Sequence, residues 1–125
     1  MILLLDAHAV LWWLADDATL DPAARSAIAH PGNDVLVSAA SIWEIEIKRA
    51  LGKLVAPAGL VGAIKDAGFD VLPITGPDAE RAGTLPPHHQ DPVGRMLVAQ
   101  AVRIGAIVMS RDAAFLAYGV DVLRA

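Results

Sequence analysis

The chain, 125 residues long, contains no cysteine. Disulfide staples, a thiolate nucleophile and zinc–thiolate centres are therefore excluded. Positive charge is also scarce: 10 Lys and Arg stand against 14 Asp and Glu, for a formal net charge of −4. A protein with that balance does not attract nucleic acid through its overall field, so such binding needs a local basic patch or a bridging cation. The apolar runs are too short and interrupted to span a bilayer. No basic stretch precedes the first apolar segment and no small-residue cleavage site follows it, so a cytoplasmic protein with no membrane partner is expected. There is no Gly-rich phosphate loop, no G-x-G-x-x-G and no serine nucleophile elbow. Asp6-Ala7-His8 lacks the second acid of an aspartyl-phosphate phosphatase. Aromatic residues make up only 5%, yet Trp12, Trp13 and Trp43 all fall in the first third.

What is present is a real core: 55% of residues are hydrophobic, enough for one compact domain over residues 1–125. Apolar runs at 2–5, 35–37, 69–72, 106–109 and 120–123 predict strands. Helices are expected between them: Ala9 to Leu14, Pro22 to about Ala29, a helix capped by Ser38 or Ser41 and ending at Leu51-Gly52, one from Pro57 to about Gly68, a short one from Pro77, one from Asp91-Pro92 to about Arg103, and a short one from Asp112 to Ala117. Ile42, Ile45 and Leu51 should share the buried side of the third helix, with Trp43 at its edge. Alternating strands and helices joined by right-handed crossovers imply an α/β fold, a three-layer α/β/α sandwich around a mainly parallel sheet. Leu85 to Gln90 reads as a loop, and no repeat or low-complexity linker divides the chain.

The chemistry concentrates in four acids. Asp6 and Asp112 follow apolar strands, Glu44 lies in the helix after another, and Asp91 opens a long helix. In an open parallel sheet the carboxyl ends of the strands line the ligand crevice. Carboxylates gathered there repel one another unless a cation neutralises them. Oxygen-only ligands favour a hard ion, Mg²⁺ or, as a substitute, Mn²⁺. Each acid also has a purely local explanation. Asp6, Asp91 and Asp112 are suitable helix N-caps, and Ser41 to Glu44 fits a capping box, with Lys48 placed for an i,i+4 pair. The functional case is the constellation, because independent caps need not share one edge of a sheet. Arg95 and Arg111 lie close in sequence to candidate ligands and, with Lys48, are candidate phosphate contacts. The adjacent His88-His89 reads as a solvated loop or a substrate contact in preference to a chelating pair. Trp12 and Trp13 read as core or as part of a dimer or partner groove.

Several longer segments carry a resemblance. They are Leu4-Leu5-Asp6-Ala7-His8 with Leu11-Trp12-Trp13-Leu14, Val37-Ser38-Ala39-Ala40-Ser41-Ile42-Trp43-Glu44-Ile45, Leu72-Pro73-Ile74-Thr75, the stretch from Leu85 through Asp91-Pro92 to Ala101, and Ser110-Arg111-Asp112. Together they resemble a PIN domain, specifically a VapC-type toxin of a type II toxin–antitoxin pair, nearly end to end. The resemblance implies Mg²⁺-dependent endoribonuclease activity, a homodimer and a cognate antitoxin. By position it assigns Asp6, Glu44 and Asp112 to the metal site, with Asp91 supporting them. It also implies an acid immediately before Arg95-Met96-Leu97, where this chain has Gly94. The departure implies a weakened enzyme or, as the alternative, an impaired module that binds RNA or antitoxin. On the sequence alone, Gly94→Asp is expected to raise activity.

Overall fold

A computed structural model describes all residues, Met1–Ala125. Five strands, β1 (Ile2–Leu5), β2 (Asp34–Ser38), β3 (Asp70–Leu72), β4 (Ile107–Met109) and β5 (Val122–Leu123), form one sheet in the order β3-β2-β1-β4-β5. Every pairing is parallel, with Leu4 of β1 opposite Leu36 on one side and Val108 on the other. β1 is central because it can be buried on both faces: Leu3, Leu4 and Leu5 have no exposed surface. Successive side chains alternate in direction. Leu3 and Leu5 therefore join a core with α1 (Ala7–Leu14), α2 (Pro22–Ala29), α3 (Ala39–Ala50) and α4 (Leu60–Asp66). Leu4 turns the other way, onto Leu97, Val98 and Ala101 of α6 (Pro92–Ile104). α5 (Gly76–Thr84) packs on α6, which completes the expected three layers. No helix is long and apolar enough to cross a membrane.

Local signals differ from the sequence expectation at two helices. α3 begins at Ala39, because the Ser38 hydroxyl accepts the Ala40 N–H at 3.0 Å. Ser41 is thus inside the helix, buried, with its hydroxyl unpartnered, and the expected Ser41–Glu44 capping box does not form. Leu51, expected on the buried side, is exposed. Pro57 does not start α4. The Arg49 guanidinium draws in the carbonyls of Ala56 and Pro57 at 2.6 and 2.7 Å, and Gly59 then turns left-handed (φ 63°) before the helix begins at Leu60.

α5 has the full capping box that α3 lacks. Thr75 Oγ1 accepts the Asp78 N–H and Asp78 Oδ2 accepts the Thr75 N–H. The same carboxylate, 2% exposed, takes two bonds from Arg103 of α6 at 2.7 and 3.0 Å. Burial alone would raise the Asp78 carboxyl, but Arg103 and the Thr75 bonds together hold it below the usual aspartate value. A depressed carboxyl contributes stability above its unfolded pKa and loses it as pH falls through the folded one. Asp78→Ala should therefore cost about 2 kcal/mol at neutral pH, from a lost cap and a charge-assisted bond. The difference from the parent should shrink in acid. Thermal unfolding at pH 7 and pH 3 reads both; an equal gap at both would refute the assignment.

Candidate active site

The sheet order reverses between β1 and β4, and this is where an open parallel sheet forms its crevice. A cleft of 290 Å³ lies there, at the carboxyl ends of the strands. Asp6 enters it from the end of β1, Glu44 and Lys48 from α3, Asp91 and Gly94 from the start of α6, and Ser110, Arg111 and Asp112 from the segment after β4. His8, Trp12, His89 and Phe115 complete much of the wall. The four acids predicted from the sequence thus share one cleft.

The local explanations hold as well, without excluding the shared site. Asp6 caps α1 through Oδ1 to the Ala9 N–H at 2.8 Å, Asp91 caps α6 through Oδ1 to Val93, and Asp112 caps the 3-10 helix Ala113–Tyr118 through Oδ1 to Ala114. Each cap uses one carboxylate oxygen. Capping also turns the positive ends of these elements toward the cleft, where negative charge is favoured.

The acids differ in how they are neutralised. Glu44 is paired with Lys48 at 3.1 Å, and Asp112 Oδ2 lies 2.8 Å from His89 Nε2. Asp6 and Asp91 make no ion pair. Burial raises the Asp6 carboxyl above its ordinary value. The Ser110 hydroxyl, the Ala9 N–H and nearby His8 lower it in part, and the charge of Glu44 raises it further. A desolvated carboxylate facing a second acid, with no cation of its own, has the donor chemistry of a hard-cation site. The donors do not close on one point, however: no group of three or more His, Asp or Glu is tight enough to hold a metal as it stands.

The basic candidates divide. Lys48 lies in the cleft. Arg111 borders it, but its guanidinium stacks over Trp12, 4.5 Å from the ring centroid, and donates to the carbonyls of Ala125 and Thr19. Arg95 is not among the cleft residues. Its guanidinium is spent on the carbonyls of Ala82, Gly83, Leu85, Pro86 and His89, so it ties the 82–89 segment to α6 and has no free donor fork for phosphate. Trp12 and Trp13 are half-buried against the core. Trp43 is the exposed one, and it forms a stripe with Ile47 of α3 and Leu51 at the helix C-cap.

Sequence reasoning missed the role of two residues. Ser110 is buried beside Asp6 and also receives the Asp112 N–H at 3.0 Å. His89, expected as a solvated loop residue or a substrate contact, has a side chain only 11% exposed and directed into the cleft, against Asp112. A histidine pair in a Pro-rich loop carries no local signal of a contact made 23 residues later, with Asp112.

Comparison with known proteins agrees with this fold. Among curated protein sequences none matches. Several solved structures are similar over nearly the whole chain, among them the following three. FitAcB from Neisseria gonorrhoeae is 19% identical with a TM-score of 0.63, covering 98% of this chain and 96% of that one. VapBC2 from Rickettsia felis, bound to a DNA fragment from its promoter, is 10% identical with a TM-score of 0.67, covering 99% and 98%. VapBC-1 from nontypeable Haemophilus influenzae is 14% identical with a TM-score of 0.58, again covering 99% and 98%. At those identities the likeness concerns the fold. The PIN domain family model matches residues 3–120, almost the full length, and the chain therefore belongs to the PIN domain family.

Proposed function

We propose that this PIN domain is the toxin of a VapC-type toxin–antitoxin pair, a Mg²⁺-dependent endoribonuclease. The observation that carries the reading is Asp6: a desolvated carboxylate without an ion pair, at the reversal point of a parallel sheet, sharing its cleft with Glu44, Asp91 and Asp112. Asp6 would be the central holder of the ion, with Asp91 and Asp112 contributing oxygens and Glu44 contributing once released by Lys48. When bound, Mg²⁺ (or Mn²⁺) supplies charge to the scissile phosphate and acidifies the attacking water. The protein's own groups bind and orient. Lys48 faces the cleft as a phosphate contact, and Arg111 adds positive charge at its rim. With a net charge of −4, affinity for RNA rests on these local cations and the ion rather than on the whole surface. Incubating cellular RNA with the protein in Mg²⁺, beside a chelated control, tests the reading: cleavage dependent on Mg²⁺ is expected, and intact RNA in both would count against it.

A second reading, a module that binds RNA or antitoxin without cleaving, is favoured by one observation. Two of the four acids already carry protein partners, and Gly94 supplies no further carboxylate.

Partner binding follows from the VapC-type reading, which pairs the protein with a cognate antitoxin and with a second copy of itself in the cytoplasm. Trp43, Ile47 and Leu51 recur at i, i+4 and i+8 along α3 and its C-cap, so they form one exposed apolar stripe. Exposed large apolar side chains grouped in this way mark interaction surfaces. Buried Trp anchors carry about 2 kcal/mol or more of binding energy. Trp43→Glu combined with Leu51→Glu should weaken antitoxin binding by about 30-fold or more. Unchanged affinity in calorimetry would remove the stripe from the interface.

A further inference from the structure

We propose that His89 is a positioning residue of the acidic cleft: its imidazole occupies the space that a side chain at position 94 would take, and it holds Asp112 by a close polar contact of Nε2 with the carboxylate. The inference rests on the metal-site reading for its consequence, though not for its geometry. Gly94 is buried in the first turn of α6 with ordinary helical backbone, so no left-handed conformation demands glycine there. What demands it is the ring. A Cβ at 94 would fall on His89 Nε2 and lie 2.7 and 2.8 Å from Cδ2 and Cε1. Glycines with an open surrounding, such as Gly62, Gly76 and Gly83, have nothing within 4 Å of the same point.

The imidazole is held from several directions. It meets Phe115 edge-on at 5.4 Å and 66°. The His89 backbone N–H donates to the Tyr118 hydroxyl at 2.8 Å, and that hydroxyl donates to the Pro86 carbonyl at 2.6 Å. Nδ1 accepts the Asp91 N–H at 3.2 Å. An accepting Nδ1 leaves the proton of the neutral ring on Nε2, the nitrogen 2.8 Å from Asp112 Oδ2. Both ring nitrogens thus face protein groups, Nδ1 the Asp91 N–H and Nε2 the Asp112 carboxylate. With Ala114 N–H on Oδ1, the Asp112 carboxylate is fixed from both sides. Where a side chain from position 94 would have entered the cleft, this chain has an imidazole that orients an acid already present. Such outer contacts typically govern metal affinity by about 10–100-fold.

The test has a metal-free arm and a metal arm. In chelator, thermal unfolding is measured for the parent, His89→Ala, Gly94→Ala and the double variant. Gly94→Ala alone should lower Tm by roughly 3–10 °C, because it overpacks the ring. In the His89→Ala background the same change should be neutral or stabilising, since alanine favours helix over glycine. Equal effects in both backgrounds would overturn the shared space. In the metal arm, Mn²⁺ calorimetry compares the parent, His89→Ala and His89→Gln, whose amide keeps a donor near the place of Nε2. The alanine variant should bind Mn²⁺ about 10–100-fold more weakly, and glutamine should restore most of it. Both variants lose the ring's packing, so equal Mn²⁺ affinity in the two would reduce His89 to a packing residue and overturn its positioning role. A parent that binds no Mn²⁺ sinks the metal-site reading instead, and the unfolding cycle alone then decides whether His89 fills the space beside Gly94.

Discussion

Asp6→Asn should raise the melting temperature of the metal-free protein at neutral pH while abolishing its response to divalent cations. Burial raises the Asp6 carboxyl in the folded state. Below its ordinary value both states are protonated and the group contributes no penalty. As pH rises past that value the unfolded chain ionises first, so the folded state loses relative stability until pH exceeds the raised folded value. At neutral pH, above the ordinary aspartate value, the folded state therefore carries the penalty. Asparagine removes the charge with little change in volume and is an equally good N-cap, so the bond to Ala9 is kept. A cation reverses the balance for the parent: at about one hundred times its dissociation constant, a ligand specific to the folded state adds about 2.7 kcal/mol. That corresponds to a Tm increase of roughly 8–15 °C. Scanning calorimetry with chelator and with Mn²⁺ should therefore show the order of the two proteins crossing. An asparagine variant that melts lower in chelator, or gains equally from Mn²⁺, would contradict the role given to Asp6.

Gly94→Asp should not raise activity by itself. The sequence alone suggests that it should, because it restores an acid the family pattern expects. In the structure its Cβ would collide with the His89 ring, so the new carboxylate enters only by dislodging the group that holds Asp112. The single variant should lose stability and cleave no faster than the parent. Gly94→Asp combined with His89→Ala provides the room. It should cleave RNA at least tenfold faster than the single variant, equivalent to about 1.4 kcal/mol of transition-state stabilisation. Initial rates at saturating Mg²⁺ give the comparison. A single variant as fast as the double would show that His89 does not block position 94.

How much of this was legible in the sequence depended on whether the cause was local. Asp21-Pro22 and Asp91-Pro92 start helices by chemistry confined to a few residues, and both helices begin at the proline. The runs before Asp6 and Asp112 are strands because β1 and β4 are adjacent and buried, which hydrophobicity alone suggests. The acids after them then reach one cleft by topology. Ser41 to Glu44 fits a capping box equally well in sequence, but Ser38 caps first and leaves Ser41 inside the helix. Arg95 looks like a phosphate contact because it neighbours an acid. Its actual partners are main-chain carbonyls, which leave no trace in residue identity. His89 needed the fold outright: its environment is assembled from Asp112, Phe115 and Tyr118, and Gly94, marked in the sequence as a missing acid, is seen to leave room for the ring only when the ring lies against it.

The claim at the centre is that Asp6 organises a divalent-metal site that cleaves RNA. The most direct measurement follows cleavage of one RNA by the parent and by Asp6→Asn across a Mg²⁺ titration, with both proteins shown to be folded. The parent should cleave in a Mg²⁺-dependent way and the variant should lose at least about a hundredfold, some 2.7 kcal/mol of transition-state stabilisation. Equal rates in the two proteins, or cleavage by the parent that persists in chelator, would contradict that claim.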